Sequence, residues 1–156
     1  MKHTWLVGIL TGVLLSGSVA TQAQQKPAAR AEVPTGEVVL GTVTIPRTVT
    51  ADGKTLARGR YTIRLTAQSA QPTVAGQLPD LNRWVEFVQG GTVKGREVVS
   101  IVPADEVSMT MPGPDMPGHV GRTGSKVEML KGGDYLRVWI ARGGIHYLLH
   151  LPPSAA

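Results

Sequence analysis

The stretch with the most chemical content is Met109-Thr110-Met111-Pro112-Gly113-Pro114-Asp115-Met116-Pro117-Gly118-His119, where three thioethers and an imidazole share one Pro- and Gly-rich segment. Soft sulfur donors select Cu(I), and a histidine is a common companion ligand. Met109, Met111, Met116 and His119 are therefore the candidate metal set, with copper as the metal. The competing account is packing, with Met109 and Met111 pointing into a core from a strand end and Met116 pinning the loop. His146 and His150 form a second suggestive pair. On a strand both project from one face, but four residues span about 13 Å. Ligands of one metal lie within about 2 Å of it, so this pair cannot share an ion without a bend. Either imidazole could join His119 if the loop folds over that face.

Other chemistry is weakly marked. Glu86, Glu97, Asp105, Glu106 and Asp115 offer carboxylates for glycoside hydrolysis, but no spacing selects two of them. Ser108, Ser125 and Ser154 lack a nucleophile elbow or a Ser-x-x-Lys context. Gly90-Gly91 and Gly132-Gly133 read as hairpin turns and not as phosphate cradles. The chain is expected not to be an enzyme. Trp84 and Trp139, exposed on one sheet face with Arg83 or Arg137 as donors, would make a sugar-stacking platform. With few aromatics available, both are expected instead to fill the core.

The chain that must position these residues opens on Lys2 and His3, an apolar run from Leu6 to Leu15, and a small-residue exit at Thr21-Gln22-Ala23. That order is the pattern of a secretory signal peptide, here residues 1–23, with Ser18-Val19-Ala20 an alternative exit. Gly8, Gly12 and Ser16 interrupt the run, which is short for a membrane span, and no second apolar run of spanning length follows. The 156 residues contain no cysteine. Disulfides, a thiol nucleophile, a zinc-thiolate site and a lipidated cysteine anchor are thereby excluded. A disulfide-free exported domain fits a bacterial periplasm or exterior better than an animal extracellular module. The net charge is +5, from 16 Lys and Arg against 11 Asp and Glu. Basic residues are scattered among acidic ones, without the dense, aromatic-interleaved patch that nucleic-acid binding needs.

Residues 24–36 lack periodicity and read as a flexible leader. From residue 37 to 153 the texture is that of one β domain. Val38 to Ile45 is β-branched and ends at Pro46, and Asp52-Gly53 marks a tight turn. In Tyr61-Thr62-Ile63-Arg64-Leu65-Thr66 the first, third and fifth residues should face a core. Val85 and Phe87 are the inward choice in the next strand, and Glu97 to Val102 forms another. Val107 to Met111 reads as a short extended piece. Val127 to Leu130, Tyr135 to Ala141 and Ile145 to Leu151, separated by glycine-rich turns, make an antiparallel meander, with Tyr147, Leu149 and Leu151 opposite the two histidines. No window shows a convincing amphipathic helix. The expected fold is all-β, an antiparallel β-sandwich or barrel of about eight short strands.

Asp52-Gly53-Lys54-x-Leu56-x-x-Gly59-x-Tyr61-x-Ile63 resembles a hairpin element of many secreted bacterial β-domains, including immunoglobulin-like and transthyretin-like modules. In that element the Asp-Gly pair sets the turn, Gly59 permits a bulge or positive φ, and Tyr61 plugs the edge. Arg83-Trp84-Val85-Glu86-Phe87-Val88-x-Gly90-Gly91-x-Val93-x-Gly95-Arg96-Glu97 is similar to a group of small exported bacterial proteins without assigned activity. The resemblance implies a fold element and no chemistry. The expectation is an exported, non-enzymatic binding or structural module whose partner is an envelope protein or polymer. A periplasmic Cu(I)-binding protein and a carbohydrate-binding β-sandwich are the alternatives.

Overall fold

The computed structural model describes residues 32–71, 81–103, 106 and 120–154. Nine strands occur among them: β1 (Val38–Ile45), β2 (Val49–Ala51), β3 (Lys54–Leu56), β4 (Gly59–Ser69), β5 (Asn82–Gln89), β6 (Thr92–Val102), β7 (Gly124–Met129), β8 (Leu136–Arg142) and β9 (Ile145–Leu151). Seven make one antiparallel sheet in the order β1-β4-β5-β6-β9-β8-β7, and β2 and β3 pair as a separate hairpin. The outermost strands, β1 and β7, lie side by side without a shared ladder, so the sheet is a nearly closed barrel. The expected all-β antiparallel architecture is the one observed, in its barrel form.

Period-two alternation decides what fills the interior. Tyr61, Ile63 and Leu65 from β4 and Val85 and Phe87 from β5 point inward, all buried. Val138 and Ile140 from β8 and Tyr147, Leu149 and Leu151 from β9 complete the same cluster. Tyr61 meets Phe87 edge-on at 6.0 Å between ring centres, and its hydroxyl donates to the Ala57 carbonyl at 2.7 Å. Gly59, read as permitting a bulge or positive φ, is extended instead, and a Cβ there would meet the Gln89 amide nitrogen at 2.9 Å, the movable end of an exposed side chain.

Turn chemistry fixes the registers. Asp52 and Gly53 both have positive φ, 45° and 74°, as the two-residue hairpin between β2 and β3 demands. Register then dictates which loops share an end. Ile45, Gly59, Gln89, Thr92, Met129, Leu136 and Leu151 end or begin strands at one end of the barrel. Val38, Ser69, Asn82, Val102, Gly124, Arg142 and Ile145 lie at the other.

The first end is sealed. Hairpin β2–β3 buries Val49, Ala51 and Leu56 against it. Gly95 of β6 lies beneath the hairpin, where a Cβ would make ordinary contact at 3.5 Å with both Ala51 and Leu56. The turn is gripped by β6, with Arg96 Nε donating to Asp52 at 2.7 Å and the Asp52 amide donating to Glu97 at 2.9 Å. The segment after β9 supplies the final stitch. Thr50 N donates to the Pro152 carbonyl at 2.8 Å, Val49 bridges to Pro153, and Ser154 N donates to the Thr48 carbonyl at 3.3 Å. Nothing in the sequence pattern announced this tail pairing.

Candidate functional site

The opposite end carries a feature that a sealed barrel end does not need. Residues 82 to 89 alternate, and Arg83 has the same parity as inward-facing Val85 and Phe87. Arg83 is accordingly buried, 4% exposed, the only buried Lys or Arg among the described residues. Its Nη1 donates to the Pro34 carbonyl, and its Nη2 to the Thr66 carbonyl, to Gly36 at 3.0 Å and to Thr35 at 3.4 Å. These acceptors belong to the leader just before β1 and to the far part of β4, so the guanidinium ties the leader across the barrel rim. Carbonyl oxygens solvate the cation but bring no negative charge. Among the described residues Arg83 has no ion pair, and its Nε–H is buried without a hydrogen-bond acceptor.

Arg83 lines a cavity of about 410 Å³ together with Val33, Pro34, Thr35, Ala67, Ser69 and Leu81. Ala67 and Ser69 follow inward-facing Leu65 along β4, past a register irregularity, so the cavity sits where the barrel interior meets the rim. Tyr147, fully buried on β9, is the electrostatic neighbour from inside. Burial pulls the Arg83 guanidinium below its ordinary value, and Tyr147 opposes that shift. The Tyr147 phenol is pushed up by burial and drawn back by Arg142 and Arg83. A cation and largely apolar walls thus meet at one open recess, the composition of a small-molecule site.

The tryptophans occupy different surroundings. Trp139 is 1% exposed, yet it points away from the barrel interior. It lies in a second cluster with Val120, Ala141 and Leu148 on the outer side of β8 and β9. Its Nε1–H donates to His146 Nδ1 at 2.6 Å, which requires that imidazole nitrogen to be unprotonated. Trp84 is half-buried on the outer side of β5 with the Arg96 guanidinium 4.3 Å above its ring centre. Neither ring fills the main core, contrary to the sequence expectation. Both sit at outward parity, and an outward ring on a barrel is covered from outside or not at all. The two do not form a shared exposed face.

His146 and His150 do lie opposite Tyr147, Leu149 and Leu151, as the alternation implied. His146 is buried against Trp139, whereas His150 is exposed and meets Tyr135 edge-on at 6.4 Å. Desolvation lowers the His150 pKa, and the nearby Arg137 charge lowers it further. Met109, Met111, Met116 and His119 lie outside the described residues, as do Val107, Ser108, Asp105 and Asp115. Among the described residues no group of three or more His, Cys, Asp or Glu is placed to hold a metal. No described helix is long and apolar enough to cross a membrane. Glu86 and Glu97 are committed elsewhere, Glu86 to Arg64 and Glu97 to the backbone of Asp52 and Val98.

Sequence reasoning offered Arg83 only as a possible donor beside an exposed tryptophan face, in the sugar-binding alternative. The signal that corrects it was available: inward Val85 and Phe87 force Arg83 inward as well. No family model, curated protein or solved structure matches the chain.

Proposed function

We propose that this chain is an exported, non-enzymatic binding module of the bacterial envelope whose ligand enters the open end of the barrel. The observation that carries the reading is Arg83, a buried cation without an ion pair among the described residues, which lines a cavity of about 410 Å³. Burying a charge without an anion is costly, and an apolar side chain of similar volume is usually at least as stabilising. A site that keeps such a charge beside a cavity is better suited to receiving something than to holding the barrel together. Export rests on the positive, apolar, small-residue order of residues 1–23 and on the absence of cysteine.

Two experiments test the two halves. Expression of the full chain in a Gram-negative host should release a processed protein on osmotic shock, with an intact mass corresponding to cleavage after Ala23 or Ala20. An unprocessed, cytoplasmic product sinks the export half. The recovered protein should then take up the neutral apolar dye N-phenyl-1-naphthylamine, and Ser69→Trp, which fills the rim opposite Arg83 in the β4–β5 register, should abolish that uptake. Absence of uptake, or uptake indifferent to Ser69→Trp, overturns the site.

A further inference from the structure

We propose that the sealed end of the barrel is a docking face for an anionic phospholipid bilayer, a role separate from the ligand reading of the open end. Basic residues that are scattered along the sequence are gathered there by the fold. Arg47 lies in the link from β1 to β2, Lys54 opens β3, and Arg58 and Arg60 flank the start of β4. Lys94 and Arg96 stand on the hairpin of β5 and β6, and Lys131 opens the turn from β7 to β8. All seven are exposed. Three acids accompany them, and two are engaged: Asp52 accepts from Arg96, and Glu97 accepts from the Asp52 and Val98 amides. The third is Asp134. Among the described residues Arg47, Lys54, Arg58, Arg60, Lys94 and Lys131 have no ion pair. Every strand connection made at this end is described, so the excess of seven against three is counted over all of them. At the opposite end the described charges balance, with Arg83, Arg122 and Arg142 against Glu32, Glu37 and Glu106.

Charge alone suits any polyanion, and apolar exposure narrows the partner. The large apolar side chains exposed among the described residues are Val39, Val93 and Tyr135. Val93, 43% exposed, and Tyr135, 46% exposed, both lie at the sealed end. Val93 adjoins Lys94, and Tyr135 shares a turn with Lys131. Cations interspersed with apolar loop tips match a bilayer surface, where phosphates meet the cations and an aliphatic or tyrosine side chain enters the headgroup layer. A soluble polyanion would leave both apolar side chains in water, and it is held best by a continuous groove. Here the cations are dealt one or two to a link around a rim. The rim is also fixed in advance, by Arg96 on Asp52 and Thr50 on Pro152, so docking has little chain to order. Seated this way, the barrel keeps its open end turned from the membrane.

The test is partition of the purified protein onto vesicles, read by co-sedimentation. Vesicles of one part phosphatidylglycerol to two parts phosphatidylcholine should bind it at low salt, and partition should fall at least about ten-fold by about 0.5 M salt. Pure phosphatidylcholine should not bind it. Arg58→Gln/Arg60→Gln should weaken partition at least about ten-fold, since each cation at an anionic surface contributes about five-fold. Arg122→Gln/Arg142→Gln removes the same charge from the opposite end and should leave partition within about two-fold of wild type. Equal losses from the two pairs, or binding to pure phosphatidylcholine, overturn the docking face. The chain has no cysteine, so Val93→Cys carries a single environment-sensitive fluorophore. Its emission should move to shorter wavelength on anionic vesicles, while the same dye on Arg122→Cys should not respond. An unresponsive dye at position 93, with the charge dependence intact, overturns the lipid and leaves a soluble polyanion as the partner.

Discussion

The two ends of this barrel solve the same problem in opposite ways. One is closed by hydrocarbon: Val49, Ala51 and Leu56 of a short hairpin are buried on it. The other holds a buried guanidinium, a strap of leader backbone and a cavity. The hairpin shows that this sequence can seal a barrel end with small apolar side chains. An arginine at the other end is therefore a departure from what stability alone selects, and such departures concentrate where a protein binds something.

The largest effect expected of a single change lies at the sealed end. Tyr61→Ala removes a buried ring, its edge contact with Phe87 and its bond to Ala57, and should destabilise by about 3–5 kcal/mol. A denaturant midpoint unchanged from wild type would refute the placement of Tyr61 in the core. Arg83→Met should cost no more than about 1–2 kcal/mol. It removes a buried charge, and the Thr35 and Gly36 acceptors it abandons belong to exposed residues that water can reach. A loss as large as that of Tyr61→Ala would make the open end as structural as the sealed one and erase the contrast.

The sealed end was largely legible from sequence. Asp52-Gly53 announced its hairpin, and Tyr61-x-Ile63-x-Leu65 announced the strand that fills the interior above it. What escaped was the tail, because the pairing of Val49 with Pro153 joins residues far apart in sequence whose types carry no signal for each other. The open end was legible only in hindsight. Alternation gave Arg83 its direction, but a charge beside Trp84 suggested a wet outer face, and pattern alone does not price a buried cation. The outward tryptophans failed for a related reason. Alternation placed Trp139 outside the barrel, and only a chain segment arriving from elsewhere, at Val120, could bury it there.

Smaller effects sharpen the contrast. Arg96→Ala removes the guanidinium over Trp84 and the partner of Asp52, both on the way to the sealed end. With Arg96 half-exposed, the cost should be about 0.5–1 kcal/mol, and Trp84 emission should move to longer wavelength. A blue shift would mean that Arg96 does not cover the ring. The smallest change concerns Glu128 on the outer face, whose carboxyl is held below its ordinary value first by its bond to Lys126 and then by Arg137. A depressed carboxyl contributes stability above its unfolded value of about 4.5 and loses it as pH falls through the folded value. Glu128→Gln should thus cost less than about 1 kcal/mol at pH 7, and the difference from wild type should vanish in acid. A gap between the two that persists at pH 3 would assign the loss to packing.

The stitch between β2 and residues 152–154 also sets a clock. β9 completes the ladder with β6, and the segment after it completes the seal on a hairpin laid down about a hundred residues earlier. Neither closure is available until residues 145–154 are free to pair. Folding governed by contacts this distant in sequence is slow. The segment after β9 therefore acts as a latch on timing: the seal on the hairpin shuts only when residues 152–154 have paired with β2 and its neighbours.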